Sequence, residues 1–291
     1  MFSHLHLGRF INSPIILMPM AKKKKQHWSW RATKTTARGL WTVTAFGGRT
    51  LARGARWLSS KAKENKKKRA LRKTAVYNTL SHFEKLAAIE TIAGNADSFE
   101  RALLESSRIV LLFGKRGSGK SALGFRILEN INSTHKRQCS VLGVSQDVLP
   151  QWITSVEDIH GVANNSIVLV DEGALAFSAR ESMKKEHKEL GKLMAIARHK
   201  DLTLIFITQN TCMIDKNVLQ LTDTLMVKEG SLLQKEMERT AVQKFYQKAE
   251  KSFEKLQDKR KYAYVIDGDF EGVISFVLPS FWSDKVSKSR A

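Results

Sequence analysis

The chain of 291 residues is long enough to bury a sizeable core, and its formal net charge of +21 indicates a polyanionic partner or a strongly basic segment. Two cysteines, Cys139 and Cys212, exclude a disulfide framework and a cysteine-based metal site, so we expect buried free thiols and a cytoplasmic location. No apolar run reaches the ~18 residues of a spanning helix, so no transmembrane helix is predicted.

Residues 1–74 are expected to form a flexible basic arm. Between residues 22 and 73 this arm holds 18 Lys or Arg and a single acid, Glu64, with five aromatic residues interleaved. The pattern suits nucleic-acid binding, an anionic membrane or capsid surface, or a solvated tail without a specific partner, and these interpretations stay open. Met20 stands before a lysine run and is a natural start, so residues 1–19 need not be translated.

A helical lead-in is expected over 75–106, and one α/β domain over 107–291. The strongest signal of the chain lies at the beginning of that domain. An apolar run from Ile109 to Phe113 leads into a complete G-x-x-x-x-G-K-S pattern, the Walker A loop or P-loop, and a helical segment follows it. A strand before the loop and a helix after it are the context in which this pattern binds phosphate.

Each part of the loop has a physical role. Glycines let the backbone turn its N–H groups toward an anion, Lys120 would reach the β- and γ-phosphates of ATP, and Ser121 would offer its hydroxyl to Mg²⁺. The positive N-terminus of the next helix would face the phosphates. The residues predicted to bind ATP are Gly114, Lys115, Arg116, Gly117, Ser118, Gly119, Lys120 and Ser121.

Further along the chain, the segment SIVLVDE at 166–172 predicts a buried strand that ends in two acids. At this distance from a P-loop it reads as Walker B: Asp171 would hold Mg²⁺, and Glu172 would polarise the attacking water. Another apolar strand, 202–208, ends at Gln209. Because ligands bind beyond the carboxyl ends of strands in open α/β sheets, Gln209 is predicted to contact the γ-phosphate or the attacking water.

The remaining segments alternate between strand and helix patterns. We predict strands at 139–144 and 224–228, helices near 148–162, 183–199 and 215–222, an amphipathic helix or two within 231–259, and a C-terminal β-hairpin followed by Phe281 and Trp282, which we expect to dock on the core. The predicted fold class is therefore an α/β P-loop NTPase with a mostly parallel central sheet flanked by helices, a C-terminal helix and a hairpin.

The order of Walker A, a strand ending in DE and a strand ending in TQ resembles the FtsK–HerA superfamily of P-loop ATPases. These proteins form rings that move nucleic acid. The resemblance covers about 107–230 and implies a sensor role for Gln209 and an arginine finger supplied to the neighbouring subunit, for which Arg198 and Arg180 are the candidates. The stretch 197–210 also looks like the zonula-occludens-toxin and filamentous-phage assembly ATPases.

The resemblance implies a Mg²⁺-dependent ATPase that translocates nucleic acid, expected to be DNA, as a homo-oligomeric ring. Packaging of a genome into a viral capsid is the expected task, which implies a location in the host cytoplasm or in the virion. DNA would be contacted by the basic arm and the ring pore. Two alternatives stay open: a phage assembly or secretion ATPase working at a membrane, and a P-loop protein whose nucleotide switches binding to a membrane or capsid without moving DNA.

Overall fold

A central nine-stranded β-sheet organises the protein in a computed structural model. The structure describes residues 61–68, 70, 74–171, 183–211, 214–231, 234 and 238–288. Most of the arm predicted over 1–74, including all of residues 1–60, and Cys212 lie outside these residues. The strands are β1 (Ala87–Gly94), β2 (Ile109–Phe113), β3 (Cys139–Leu142), β4 (Ile153–Val156), β5 (Ile167–Asp171), β6 (Thr203–Thr208), β7 (Thr224–Val227), β8 (Tyr262–Asp267) and β9 (Phe270–Ser275). The helices are α1 (Ala96–Glu105), α2 (Lys120–His135), α3 (Met183–His199), α4 (Lys216–Leu221), α5 (Thr240–Phe253) and α6 (Asp284–Lys288).

The strand order is β1-β9-β8-β7-β2-β6-β5-β3-β4. The six strands from β7 to β4 run parallel, whereas β8, β9 and β1 continue the sheet in antiparallel pairing. The predicted fold class, an α/β protein with a mostly parallel sheet and a C-terminal hairpin, is confirmed. In the described residues β2 lies in the interior of the sheet, between β7 and β6, so the loop that follows it emerges near the middle of the carboxyl edge.

Alternate residues of the buried strands supply two cores, one on each face of the sheet, because successive side chains point to opposite faces. From β2, Val110 and Leu112 enter the core shared with α2, while Leu111 and Phe113 enter the core shared with α3 and α5. Each fully buried apolar side chain of this kind contributes about 1.5–3 kcal/mol. Burial on both faces explains why β2, β5 and β6 read as continuous apolar runs.

The prediction of a helical lead-in over 75–106 is wrong for the middle part of that range. Residues 74–77 and α1 are helical, but 87–94 form β1, which pairs antiparallel with β9 at the edge of the sheet. All eight residues of β1 are exposed. Their sequence, AAIETIAG, therefore lacks the buried alternation that marks a strand, and the pairing partner lies about 180 residues away. A local pattern cannot indicate such a contact.

The helix predicted over 148–162 is also not formed. Residues Gln146–Val148 make one 3₁₀ turn, and β4 then pairs in parallel with β3. The other predicted strands and helices agree with the structure to within a few residues. Phe281 is buried, and its ring meets that of Phe125 edge to face at a centroid distance of 5.6 Å, which confirms the predicted docking of the C-terminal segment on the core.

Cys139 is a buried free thiol, as predicted, and burial raises the pKa of its thiol, which makes it unreactive. None of the helices in the described residues is long and apolar enough to cross a membrane.

Candidate nucleotide-binding site

The P-loop connects the carboxyl end of β2 to the first turn of α2. Its three glycines all adopt positive φ angles, 149° at Gly114, 76° at Gly117 and 89° at Gly119, where residues with a side chain are strained. Gly119 directly precedes α2, so the loop ends at the positive terminus of a 16-residue helix. The sequence-predicted strand, loop and helix are thus present in the required order.

Two of these glycines are also required by close packing. A Cβ atom on Gly114 would lie 2.7 Å from the Cβ of Lys228, which follows β7. A Cβ atom on Gly119 would lie 2.7 Å from the carbonyl oxygen of Arg260. The loop therefore packs between the end of β7 and the turn before β8, and neither Gly114 nor Gly119 has room for a side chain.

Lys120 is the residue of the pattern that was predicted to reach the β- and γ-phosphates, and the structure places its ammonium group inside the loop. The side chain is buried, and Nζ donates hydrogen bonds of 2.9 Å to the carbonyl oxygens of Gly114 and Lys115. The loop is anchored from outside by Lys115, whose Nζ lies 2.6 Å from Glu229 Oε2 and whose backbone N–H donates to the Glu229 carbonyl at 2.9 Å. The cation is held by the loop that would surround the phosphates.

Ser118 provides an observation that fits a bound polyphosphate. Its Oγ is buried and has no hydrogen-bond partner among the residues that the structure describes, which is a costly arrangement for a buried hydroxyl. A phosphate oxygen in the loop would satisfy such a donor. Arg116 and Gly117, by contrast, lie on the exposed outer part of the loop.

The predicted magnesium residues lie on neighbouring elements. Asp171 is buried and is the last residue of β5, and Ser121 is half-buried in the first turn of α2. Helix α2 packs directly on the strand, since a Cβ atom on Gly124 would lie 2.8 Å from Leu169 Cδ1. The described residues contain no cluster of three or more His, Cys, Asp or Glu suited to a metal. One carboxylate and one hydroxyl nevertheless fit Mg²⁺, which usually keeps several waters and takes further oxygens from phosphates.

The register of the sheet brings the predicted site residues to one edge. Phe113 pairs with Thr208 of β6 and with Val227 of β7, and Asp171 pairs with Ile207. The P-loop, Gln209 and Lys228 directly follow the ends of β2, β6 and β7, and they therefore lie at the same edge of the sheet. The Gln209 carbonyl accepts a hydrogen bond of 2.9 Å from Gln234 Nε2, which fixes the backbone at this position. Glu172, predicted as the general base, lies outside the described residues.

Arg198, the first candidate for an arginine finger, lies at the opposite edge of the sheet. It is in the last turn of α3, before β6 begins, and its NH2 group donates to the Leu221 carbonyl at 2.9 Å and lies 3.4 Å from Asp223 Oδ1. The other oxygen of Asp223 accepts from the backbone N–H of Ile109 at the amino end of β2. Arg198 is half-exposed and remote from the P-loop of its own chain. Arg180, the second candidate, lies outside the described residues.

One residue of the site was missed by sequence reasoning. Lys228 directly follows β7, is completely buried, and lies behind the P-loop. Burial and the nearby positive charge of Lys120 lower the pKa of Lys228 to about 7. The only hint in the sequence is a lysine directly after an apolar strand, a position at which most lysines are solvated.

The buried Walker A lysine, the loop geometry and the parallel sheet together define a P-loop NTPase, which confirms the fold that the family resemblance implied. Residues 55–242 match the family described as "Protein of unknown function (DUF815)", and the chain belongs to this family. No curated protein matches the chain.

The solved structures to which the chain is similar include three proteins of low sequence identity. The DNA-packaging ATPase B204 from Sulfolobus turreted icosahedral virus is 15% identical, with a TM-score of 0.41 over 58% of this chain and 98% of that one. The pCW3 conjugation coupling protein TcpA is 11% identical, with a TM-score of 0.41 over 69% and 68% of the two chains. EssC from Geobacillus thermodenitrificans is 10% identical, with a TM-score of 0.38 over 74% and 50%.

Proposed function

We propose that this protein is an ATP-driven nucleic-acid translocase that hydrolyses ATP with Mg²⁺ as a homo-oligomeric ring and packages the DNA of a viral genome. The observation that carries the proposal is that the predicted site residues share one edge of the sheet. Lys120 is held by the loop that follows β2, Asp171 is the last residue of β5, and Gln209 directly follows β6. This is where an α/β sheet binds ligands.

Each residue then has a defined task in hydrolysis. Lys120 and the loop N–H groups would bind the β- and γ-phosphates. Ser121 and Asp171 would hold Mg²⁺, which when bound would neutralise charge that builds up on the phosphate oxygens. Glu172 accepts a proton as water attacks the γ-phosphorus and the bond to ADP breaks. Gln209 orients that water or contacts the γ-phosphate.

Nucleic acid is the proposed partner of the basic arm, because 18 cations against one acid between residues 22 and 73 exceed what solubility requires. Interleaved tryptophans add surfaces on which bases can stack. This part of the proposal rests on the sequence, and the experiment that tests it compares ATPase activity and DNA binding with and without the arm.

We expect a variant lacking residues 1–74 to keep its basal ATPase activity, because every nucleotide-binding residue lies beyond residue 113. It should bind DNA more weakly and lose DNA stimulation of ATP hydrolysis. Its affinity should also depend less steeply on salt, since each neutralised phosphate of duplex DNA adds about 0.9 to the slope of log affinity against log salt concentration. Titrations at several salt concentrations measure both quantities.

A shorter truncation, lacking only residues 1–19, is the matched control. It removes one cation, Arg9, retains the 18 cations between residues 22 and 73, and should behave as the full chain does. An unchanged affinity and salt slope after removal of 1–74 would contradict DNA binding by the arm. Binding to anionic liposomes or capsid shells that disappears with the same truncation would indicate a tether instead.

We further propose that Arg198 acts across a subunit boundary. Its position at the edge of the sheet opposite the P-loop excludes a contact with the nucleotide of its own chain, whereas its half-exposed guanidinium is available to a neighbour. Arg198→Ala should lower ATPase activity by at least about tenfold. Mixing Arg198→Ala subunits with Lys120→Ala subunits should restore part of the activity, because each supplies what the other lacks.

The double variant, with both substitutions in one chain, is the control for mixing. Added to wild-type subunits it should only inhibit, and alone it should be inactive. Full activity of Arg198→Ala by itself would remove this residue from the site and would leave Arg180 as the candidate.

A further inference from the structure

Exposed apolar side chains are concentrated on two segments of the chain. Seven large apolar side chains are exposed in the described residues, and five of them lie within 77–83 and 277–278. Four of these form what we call the apolar patch, with exposed fractions of 66% at Leu80, 43% at Phe83, 54% at Val277 and 59% at Leu278. Single exposed apolar residues are common, whereas a cluster of them marks an interaction site.

Arg126 of α2 holds the two segments side by side. Its guanidinium donates to the His82 carbonyl at 3.2 Å and to the Val277 carbonyl at 3.1 Å, and a further hydrogen bond goes to the Leu278 carbonyl. One buried side chain therefore contacts both segments. Because both backbones are bound to the same guanidinium, their apolar side chains lie on adjoining parts of one surface.

Glu129, the ion-pair partner of Arg126, makes a second set of contacts. Its carboxylate accepts from the backbone N–H of His82 at 3.2 Å and from that of Ser280 at 3.1 Å. The hydroxyl of Ser280 also donates to the Leu80 carbonyl at 3.3 Å. The ion pair is buried, with 3.0 Å between its nearest atoms, so the apolar patch is carried by a fixed backbone.

The polar backbone groups of these segments are bonded to the interior of the protein. Asn130 makes two hydrogen bonds with the backbone of Glu84, accepting from its N–H at 3.1 Å and donating to its carbonyl at 2.7 Å. Earlier in the same segment, Trp152 Nε1 donates to the Thr79 carbonyl at 3.0 Å. Protein–protein interfaces carry about one hydrogen bond per 100–200 Å², whereas insertion of apolar side chains into a lipid surface requires none. The patch therefore suits lipid better than a protein partner.

Positive charge lies next to the apolar patch along the chain. Residues 61–68 are helical and exposed, and they hold five lysines and one acid, Glu64. Between residues 61 and 85 the sequence has nine Lys or Arg against two acids. Apolar side chains flanked by lysines are the combination that binds the interface of an anionic membrane, because the lysines attract the phosphates of the headgroups.

A second copy of the chain matches the apolar patch less well. Contact between two identical patches would bring two lysine-rich segments together, and like charges repel. A ring contact is heterologous and would need a different apolar surface on the neighbour. Outside 77–83 and 277–278, the described residues expose only two large apolar side chains, Ile89 and Ile92 of β1. Charge opposes the first arrangement, and the shortage of apolar partners opposes the second.

We propose that the apolar patch and the lysine-rich segment 61–68 together dock the protein on a membrane surface that carries anionic headgroups. The four side chains of the patch would enter the boundary between headgroups and acyl chains, and the lysines would contact lipid phosphates. Such binding is peripheral and requires no spanning helix. The inference goes beyond the proposed function and depends on neither nucleotide nor DNA.

The test is flotation of the full chain with phosphatidylcholine vesicles that contain about one third phosphatidylglycerol, at ~0.1 M and ~0.5 M salt. Salt screens the attraction of the lysines, whereas insertion of apolar side chains persists. We expect wild-type binding to weaken at the higher salt concentration and to remain measurable there. Leu80→Ser/Leu278→Ser should weaken binding at least about tenfold at both concentrations, because two apolar side chains no longer leave water.

Ile89→Ser/Ile92→Ser is the matched control, since these side chains are half-exposed and lie outside the two segments that Arg126 holds. It should bind vesicles as the wild type does. Equal losses in the two double variants would contradict the proposal, and so would the absence of wild-type binding at the higher salt concentration.

The oligomeric mass of each variant is measured in parallel by light scattering. A lower mass of Leu80→Ser/Leu278→Ser with unchanged vesicle binding would assign the apolar patch to a second copy and would overturn the proposal. Both substituted side chains are exposed, so thermal unfolding should be that of the wild type. Should this variant fail to fold, the salt dependence of wild-type flotation decides the question, because loss of all binding at high salt contradicts apolar insertion.

Discussion

Lys120→Ala is expected to abolish detectable ATP binding and hydrolysis. The ammonium group is already held inside the loop by two carbonyls at 2.9 Å, so it is in place to receive phosphate oxygens. A hydrogen bond to a charged group is worth about 1.5–3 kcal/mol, so two phosphate contacts correspond to about 3–6 kcal/mol, or about 10²- to 10⁴-fold in affinity. Calorimetric titration with Mg²⁺ and a non-hydrolysable ATP analogue, and an assay of phosphate release from ATP, measure the two losses.

The substitution also removes a buried side chain, so thermal unfolding should be followed in parallel. Lys244→Ala is the matched control: Lys244 is exposed on α5, and the variant should retain wild-type binding and turnover. Normal turnover of a folded Lys120→Ala variant would show that the loop does not bind the nucleotide, and the proposed function would fail.

The P-loop could be predicted from sequence because its signal is entirely local. Gly114, Gly119 and Lys120 occupy fixed positions between one apolar strand and one helix, and the backbone angles that the pattern requires are present. The strand that ends at Asp171 and the strand before Gln209 were also predictable, since strands buried on both faces read as unbroken apolar runs. Each of these features is contained within about 20 consecutive residues.

The features that sequence reasoning missed depend on distant contacts. Lys228 lies behind the loop because β7 pairs with β2 and because the turn before β8 folds back over Gly119. Its partners, the carbonyls of Arg260 and Tyr262, are more than 30 residues away along the chain. A lysine after a strand looks the same in the sequence whether it is solvated or buried.

The middle of helix α2 shows the same limit of sequence-based prediction. Arg126 and Glu129 form a buried ion pair of 3.0 Å within the helix. The guanidinium of Arg126 donates to the carbonyls of His82, Val277 and Leu278, so the helix that begins at the P-loop is tied to two distant segments. Helical periodicity alone places such charged residues in solvent, and only tertiary packing accounts for their burial.

Glu172→Gln is expected to preserve ATP binding and to reduce turnover by about 10²- to 10⁴-fold, the usual range for loss of a general base. The substitution retains the shape of the side chain and removes the carboxylate that would accept a proton from the attacking water. Its position favours this role, because Glu172 directly follows Asp171, the last residue of a strand whose end lies at the same sheet edge as the P-loop.

The decisive comparison is between binding and turnover in the same variant. Glu105→Gln is the matched control, since Glu105 is exposed at the end of α1, before β2 begins, and should leave both quantities unchanged. Loss of ADP binding in Glu172→Gln would assign this residue to the binding of Mg²⁺ and phosphate instead of to proton transfer. Near-normal turnover would place the base elsewhere, and Gln209 and its neighbours at the end of β6 would then have to position the attacking water without a carboxylate from β5.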